Sequence, residues 1–98
     1  MNFDLFKTKD RRLVTLRLLQ ESPGYTLNES VIETALEGIG HLVSRDTVRG
    51  DLAWLAEQGL IGIDNVADRI MIATLTKRGE DVALGHAIHP GVKRPSPR

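Results

Sequence analysis

Apolar and polar positions alternate along this chain with two different periods. From residue 10 to residue 57 the period is helical. Leu13, Val14, Leu16, Leu18 and Leu19 give a wide apolar face to a first helix expected to start near Asp10 and run through Arg11 to Glu21, where Ser22, Pro23 and Gly24 end it. Asn28 then reads as an N-cap, with Leu27 before it placed to staple onto Ile32. The second helix is expected to turn Val31, Ile32, Ala35, Leu36 and Ile39 inward and Glu29, Glu33 and Glu37 outward, and to fray at Gly38 and Gly40. A third helix opens the same way, with Val43 ahead of the cap Ser44. Val48, Leu52 and Leu55 form its buried stripe, so the opposite face holds Asp46, Arg49, Gly50, Ala53 and Glu57, flanked by Thr47 and Trp54.

After Gly59 the period shortens. Leu60, Ile61 and Ile63 predict one strand and Ile70, Ile72 and Leu75 a second, with Asp64, Asn65, Asp68 and Arg69 supplying turn chemistry between them. Thr76 caps a last helix carrying Val82, Ala83, Leu84 and Ile88, which Pro90 breaks. The order α-α-α-β-β-α is that of a winged helix-turn-helix, mainly α with a small β-hairpin. Residues 1–88 make that domain. Residues 89–98 form a basic, proline-rich tail expected to be extended or disordered, with almost nothing to bury.

Charge changes what this fold is expected to do. Thirteen basic and thirteen acidic residues cancel over 98 positions, so any pull toward phosphate must come from local asymmetry. The two ends are basic, whereas between Glu21 and Asp68 the only cations are Arg45 and Arg49. A third helix of this kind enters the major groove by its early turns. The expected DNA contacts are therefore Ser44 and Arg45 at the helix N-terminus, Thr47 and Arg49 on its face, Arg69 on the wing, and Arg11 and Arg12 among the basic residues running from Lys7, with Lys93 to Arg98 adding to non-specific affinity. The structural alternative is that Arg45 and Arg49 only pair with Asp46, Asp51 or other carboxylates on a solvated surface.

Trp54 either packs under the wing and last helix or anchors an interface, and Phe3, Leu5 and Phe6, ahead of the expected first helix, either fold onto the core or cross to a second subunit as a homodimer. With no cysteine and only His41, His86 and His89, no metal ligand set is expected, and no cofactor. No nucleophile elbow, phosphate loop or paired-carboxylate arrangement suggests an enzyme. Phe3, Leu5 and Phe6 are interrupted by Asp4 and followed by Lys7, unlike a secretory signal, and no apolar run is long enough for a membrane helix; a cytoplasmic location is expected.

The stretch from Ser44 to Ile61 resembles the winged-helix domain of DeoR-type repressors, whose pattern S-x-x-T-hydrophobic-R-R-D-L is met by Ser44, Thr47, Val48, Arg49, Asp51 and Leu52, with Gly50 in place of the second arginine. The runs R-R-L-V-T-L-R-L-L, P-G-Y-T-L-N-E-S, V-S-R-D-T-V-R-G-D-L-A-W-L-A-E-Q-G-L-I, A-T-L-T-K-R-G-E-D-V-A and H-P-G-V-K-R-P-S-P together resemble small proteins of Mu-like transposable phages and prophages, often labelled ArsR-like regulators. That resemblance implies a phage-encoded winged helix in the host bacterial cytoplasm. Taken with the exposed face of the third helix, the leading expectation is binding of double-stranded DNA in transcription regulation. The alternative class is a protein–protein interaction module that joins phage proteins in an assembly or replication complex.

Overall fold

The side chain of Asn2 accepts the Leu5 amide at 3.1 Å and starts helix α1 (Phe3–Glu21) well before Asp10. The computed structural model describes residues 2–96; Pro97 and Arg98, the end of the expected basic tail, lie outside them. Phe3, Leu5 and Phe6 are thus part of α1 rather than a segment ahead of it, and they remain exposed. A short 3-10 turn at Pro23–Tyr25 leads into strand β1 (Thr26–Asn28), and α2 (Glu29–Gly38) follows directly. Asn28 caps α2 by accepting the Val31 amide at 2.9 Å.

Helix α3 (Arg45–Glu57) is capped by Ser44, whose Oγ accepts the Thr47 amide at 3.2 Å. Strands β2 (Ile61–Val66) and β3 (Ile70–Leu75) form the wing, and α4 (Lys77–Leu84) closes the chain behind it, capped by Thr76 through the Gly79 amide at 3.0 Å. The sheet has three strands in the order β1-β3-β2, both pairings antiparallel. The hairpin expected from the sequence therefore gains β1 on its free edge, where Thr26 pairs with Thr74 and Asn28 with Ile72. The wing turn lies at Ala67 and Asp68, both left-handed at φ 54°, and Arg69 N closes it onto Val66 O at 3.1 Å. Asp64 and Asn65, expected in the turn, continue β2 instead.

The predicted stripes converge on one core. Leu16 and Leu19 of α1, Ile32 and Leu36 of α2, and Val48, Leu52 and Leu55 of α3 meet Leu60, Ile61, Ala73 and Leu75 of the sheet and Val82 of α4. Val31 and Ile39, expected inward, are 47% and 56% exposed, because the buried line of α2 runs through residues 29, 32 and 36, Val31 lies well off it, and Ile39 is the cap residue past the helix end. Gly85, left-handed at φ 81°, ends α4 ahead of Pro90 and leaves Ile88 outside the helix. Gly79 sits so close to Leu60, just ahead of β2, that a Cβ there would lie 2.0 Å from Leu60 O, so α4 packs at this distance only with glycine.

One ion pair lies inside the helical layer. Arg11 of α1, 8% exposed, donates both Nε and Nη2 to the Asp51 carboxylate of α3, Nη2 at 3.0 Å. Asp51 is 6% exposed, so each charge depends on the other for compensation.

From His89 onward the described chain has no helix or strand, yet it buries more than its composition suggests. Val92 is 4% exposed and joins the core. The His89 ring meets Trp54 edge-on at 5.2 Å and bonds Gln58 at 2.9 Å, and Lys93 N donates to Lys9 O at 3.2 Å. Gly91 passes so near Trp54 that a Cβ would lie 2.5 Å from the indole. Trp54 is consequently sandwiched between this tail and the Arg12 guanidinium, which lies 3.7 Å from the ring centroid. Ending the chain after Ile88 should red-shift the emission of Trp54, the single tryptophan, and lower stability by about 1.5–3 kcal/mol for the lost burial of Val92 alone. Unchanged emission and an unchanged urea midpoint would contradict this packing.

Candidate nucleic-acid interface

Helix α3 presents the face predicted for it. Ser44, Arg45, Asp46, Gly50, Ala53 and Glu57 are exposed, and Thr47 and Arg49 are partly so. A Cβ on Gly50 would meet no atom within 4 Å, which leaves the middle of this face flat and open. Ser44 Oγ and Thr47 Oγ1 lie 3.1 Å apart at the helix entrance, beside its free amides.

The cations on that face are engaged from behind by α2. Glu29 has no exposed surface, although it carries a carboxylate in the first turn of a helix. Arg49 Nε donates to its Oε1 at 2.7 Å and Arg49 Nη2 to its Oε2 at 3.0 Å, a bidentate pair. Met71 N of β3 donates to Oε2 at 2.6 Å, and Arg49 Nη2 also donates to Arg69 O at 2.6 Å. One carboxylate thereby ties α2, α3 and the wing together. The Arg49 hydrogen bonds hold it below the ordinary carboxylate value; burial opposes this, and the Met71 amide adds to it. Arg45 is paired beside it, with Nε 3.1 Å from Glu33 Oε1 and 3.7 Å from Glu29 Oε1.

Among the residues expected to touch DNA, Ser44, Arg45, Thr47, Arg49 and Arg69 lie together on α3 and the adjoining wing. Arg11 and Arg12 do not join them. Arg11 is buried against Asp51, and Arg12 stacks on Trp54 and donates Nη1 to Gly91 O at 3.0 Å. Trp54, considered as an interface anchor, is covered by the chain's own tail. Lys93 of that tail bonds Asp10 at 3.2 Å, and His41 bonds the other carboxylate oxygen of Asp10 at 2.7 Å.

Glu29 is the residue that sequence reasoning placed on the wrong side. Its spacing to Ile32 and Leu36 was the available signal, since positions three and seven residues apart share a helix face.

Comparison with known proteins fixes the kinship. Over 91 residues, 93% of this chain and 93% of its counterpart, the sequence is 50% identical to the uncharacterized protein gp26 of Escherichia phage Mu. The chain belongs to the phage Mu gp26 family. An uncharacterized protein of Haemophilus influenzae is 49% identical over 78 residues, covering 80% of this chain and 76% of that protein. The expected tie to Mu-type phage proteins is shown by these relatives, whereas no protein-family model matches the chain and the DeoR-type and ArsR-like readings gain no support.

In fold, this gp26-family chain is similar to solved complexes of hsRosR-S1, with a TM-score of 0.66 at 21% identity, and hsRosR-S4, with 0.63 at 22%. The alignments cover 83% and 74% of this chain, which spans 70% of the S1 chain and 62% of the S4 chain. The fold is a winged helix.

Glu29→Gln keeps the shape of the side chain but removes its charge and turns one of the two oxygens that accept from Arg49 into an NH2 donor. It should destabilise by about 2–3 kcal/mol in urea melts, less than the ~3–5 kcal/mol for a fully buried pair because the half-exposed Arg49 rehydrates. The wild type should also lose this contribution in acid: with the folded value lowered from 4.5, it is complete above that pH and fades as pH falls through the lowered value. Glu29→Gln should flatten that part of the stability profile, and an unaltered acid limb would contradict the assignment.

Proposed function

We propose that this gp26-family protein binds double-stranded DNA through α3 and the wing and serves as a transcriptional regulator. The observation that carries this reading is the fixed juxtaposition of the two elements. Arg49, bonded to both Glu29 and Arg69 O, sets the wing beside the exposed face of α3, leaving Ser44, Thr47 and Gly50 open to a groove.

The contacts divide by what each group has left to give. Arg45, with 48% of its side chain exposed, turns from Glu33 to a phosphate; Ser44, Thr47 and the helix amides donate to oxygens of the neighbouring phosphate; Arg69 reaches the backbone from the wing. Arg49 has Nε and Nη2 committed to protein acceptors, so Nη1 is what it offers. Few phosphates are neutralised this way. With about three such contacts, log affinity should fall with log salt at a slope of roughly −3.

Fluorescence anisotropy with phage-derived duplexes across a salt series tests this. Arg45→Ala should weaken binding to all sequences and reduce the slope by about 1, while Glu33→Gln, which frees Arg45, should tighten it. Absence of binding at low salt, or binding indifferent to salt, would overturn the proposal.

A second reading has its own observation. The same two arginines are already neutralised by Glu29 and Glu33, and Asp64 and Asp68 outnumber Arg69 on a wing whose Val66 and Ile70 are exposed. Such a face suits a protein partner in a phage assembly or replication complex, and recovery of phage proteins on nuclease-treated bait would favour it.

A further inference from the structure

We propose that α1 is a self-pairing surface, joining α1 of a second copy in antiparallel orientation about a twofold axis at Val14. The pairing is separate from the α3 face and does not depend on DNA binding. Phe3, Lys7, Asp10, Val14, Arg17 and Glu21 follow one another at alternating steps of four and three residues along this helix. At ~100° per residue they fall within about 40° of a single line, the geometry of a helix–helix seam.

Most of this line is open to solvent, with Val14 half-buried against the core and Asp10 holding His41 and Lys93. Phe3 is 66% exposed and Phe6 45%, and Val14, Arg17, Leu18, Glu21 and Ile39 line an open hollow of about 290 Å³. Leu13, Leu16 and Leu19 already serve the core from the opposite side of α1, so the outward line is not needed for folding. Among the described residues Arg17 and Glu21 make no ion pair, and the contact of Lys7 is with the Phe3 ring, 5.6 Å from its centroid.

Charge order selects both the occupant and its direction. From Val14 toward the C-terminus the line carries Arg17 and then Glu21; toward the N-terminus it carries Asp10 and then Lys7. A twofold axis at Val14 turns each half onto the other. Lys7 then faces the partner's Glu21, and Asp10, whose carboxylate also holds His41 and Lys93, stands level with the partner's Arg17 to within one residue's rise, about 1.5 Å. Val14 meets the partner's Val14 at the centre. Parallel pairing would instead set Lys7 on Lys7 and Asp10 on Asp10.

The apolar ends fit the same arrangement. The exposed Phe3 and Phe6 of each copy reach the far end of the other α1, where the hollow beside Ile39 lies. Anchor and hollow stand on one helix, so the surface is complementary to itself, as a twofold interface requires.

Sedimentation equilibrium of the full chain, with a charge swap, tests the pairing. The protein should sediment as a dimer. Lys7→Glu and Glu21→Lys should each raise the dissociation constant by roughly tenfold, since symmetry reverses two pairs at once, and the double variant should restore it. The chain has no cysteine, so Val14→Cys should yield a disulfide-linked dimer under mild oxidation. A monomer at all concentrations overturns the proposal. So does a dimer indifferent to both charge reversals and unlinked by Val14→Cys.

Discussion

A carboxylate without exposed surface is expensive to bury unless its charge is met on every side, and the arrangement of this winged helix follows from how Glu29 is met. It stands at the start of α2, where the helix amides favour negative charge, and its two oxygens are filled by Arg49 from α3 and by the Met71 amide from β3. Three elements that share little else in sequence are bound to one group. The angle between the exposed helix and the wing is thereby set by charge-assisted bonds whose geometry is specific, in addition to apolar packing whose geometry is not.

That solution draws on the residues a DNA surface needs. Arg49 supports the wing before it can support a ligand, and Arg45 is shared with Glu33. The two basic positions nearest the N-terminal end of the core are used in the same manner, Arg11 against Asp51 and Arg12 against Trp54. Formal neutrality of the chain is thus mirrored locally at Arg11, Arg45 and Arg49, each held by a carboxylate. The consequence for function is a surface with few free charges, where helix-terminus amides, hydroxyls and the open position at Gly50 carry a larger share of recognition than in a strongly basic winged helix.

Much of this was legible in the residues before the structure. Asn28, Ser44 and Thr76 were identifiable as caps because each precedes an apolar stripe with the right offset, and each accepts the expected amide. The winged-helix order followed from those caps and from the change of period at Gly59. Other features were hidden for physical reasons. Strand β1 spans three residues, too short for alternation to register, and exists through its pairing with β3. The tail carries one buried apolar side chain, Val92, and its order comes from contacts with α1 and Trp54 that lie far away in sequence. Of the site, the exposed face of α3 was readable, but the pairing of its arginines was not, since a glutamate reads as surface until the helix face it shares with Ile32 and Leu36 is counted.

The most direct measurement is the carboxyl titration of Glu29 by carbon-detected NMR, followed together with the amide resonance of Met71. The account predicts a Glu29 value below the ordinary 4.5, with the Met71 amide shifting in the same transition because it donates to that carboxylate. A Glu29 that titrates at or above 4.5, with a Met71 amide that does not respond, would contradict it.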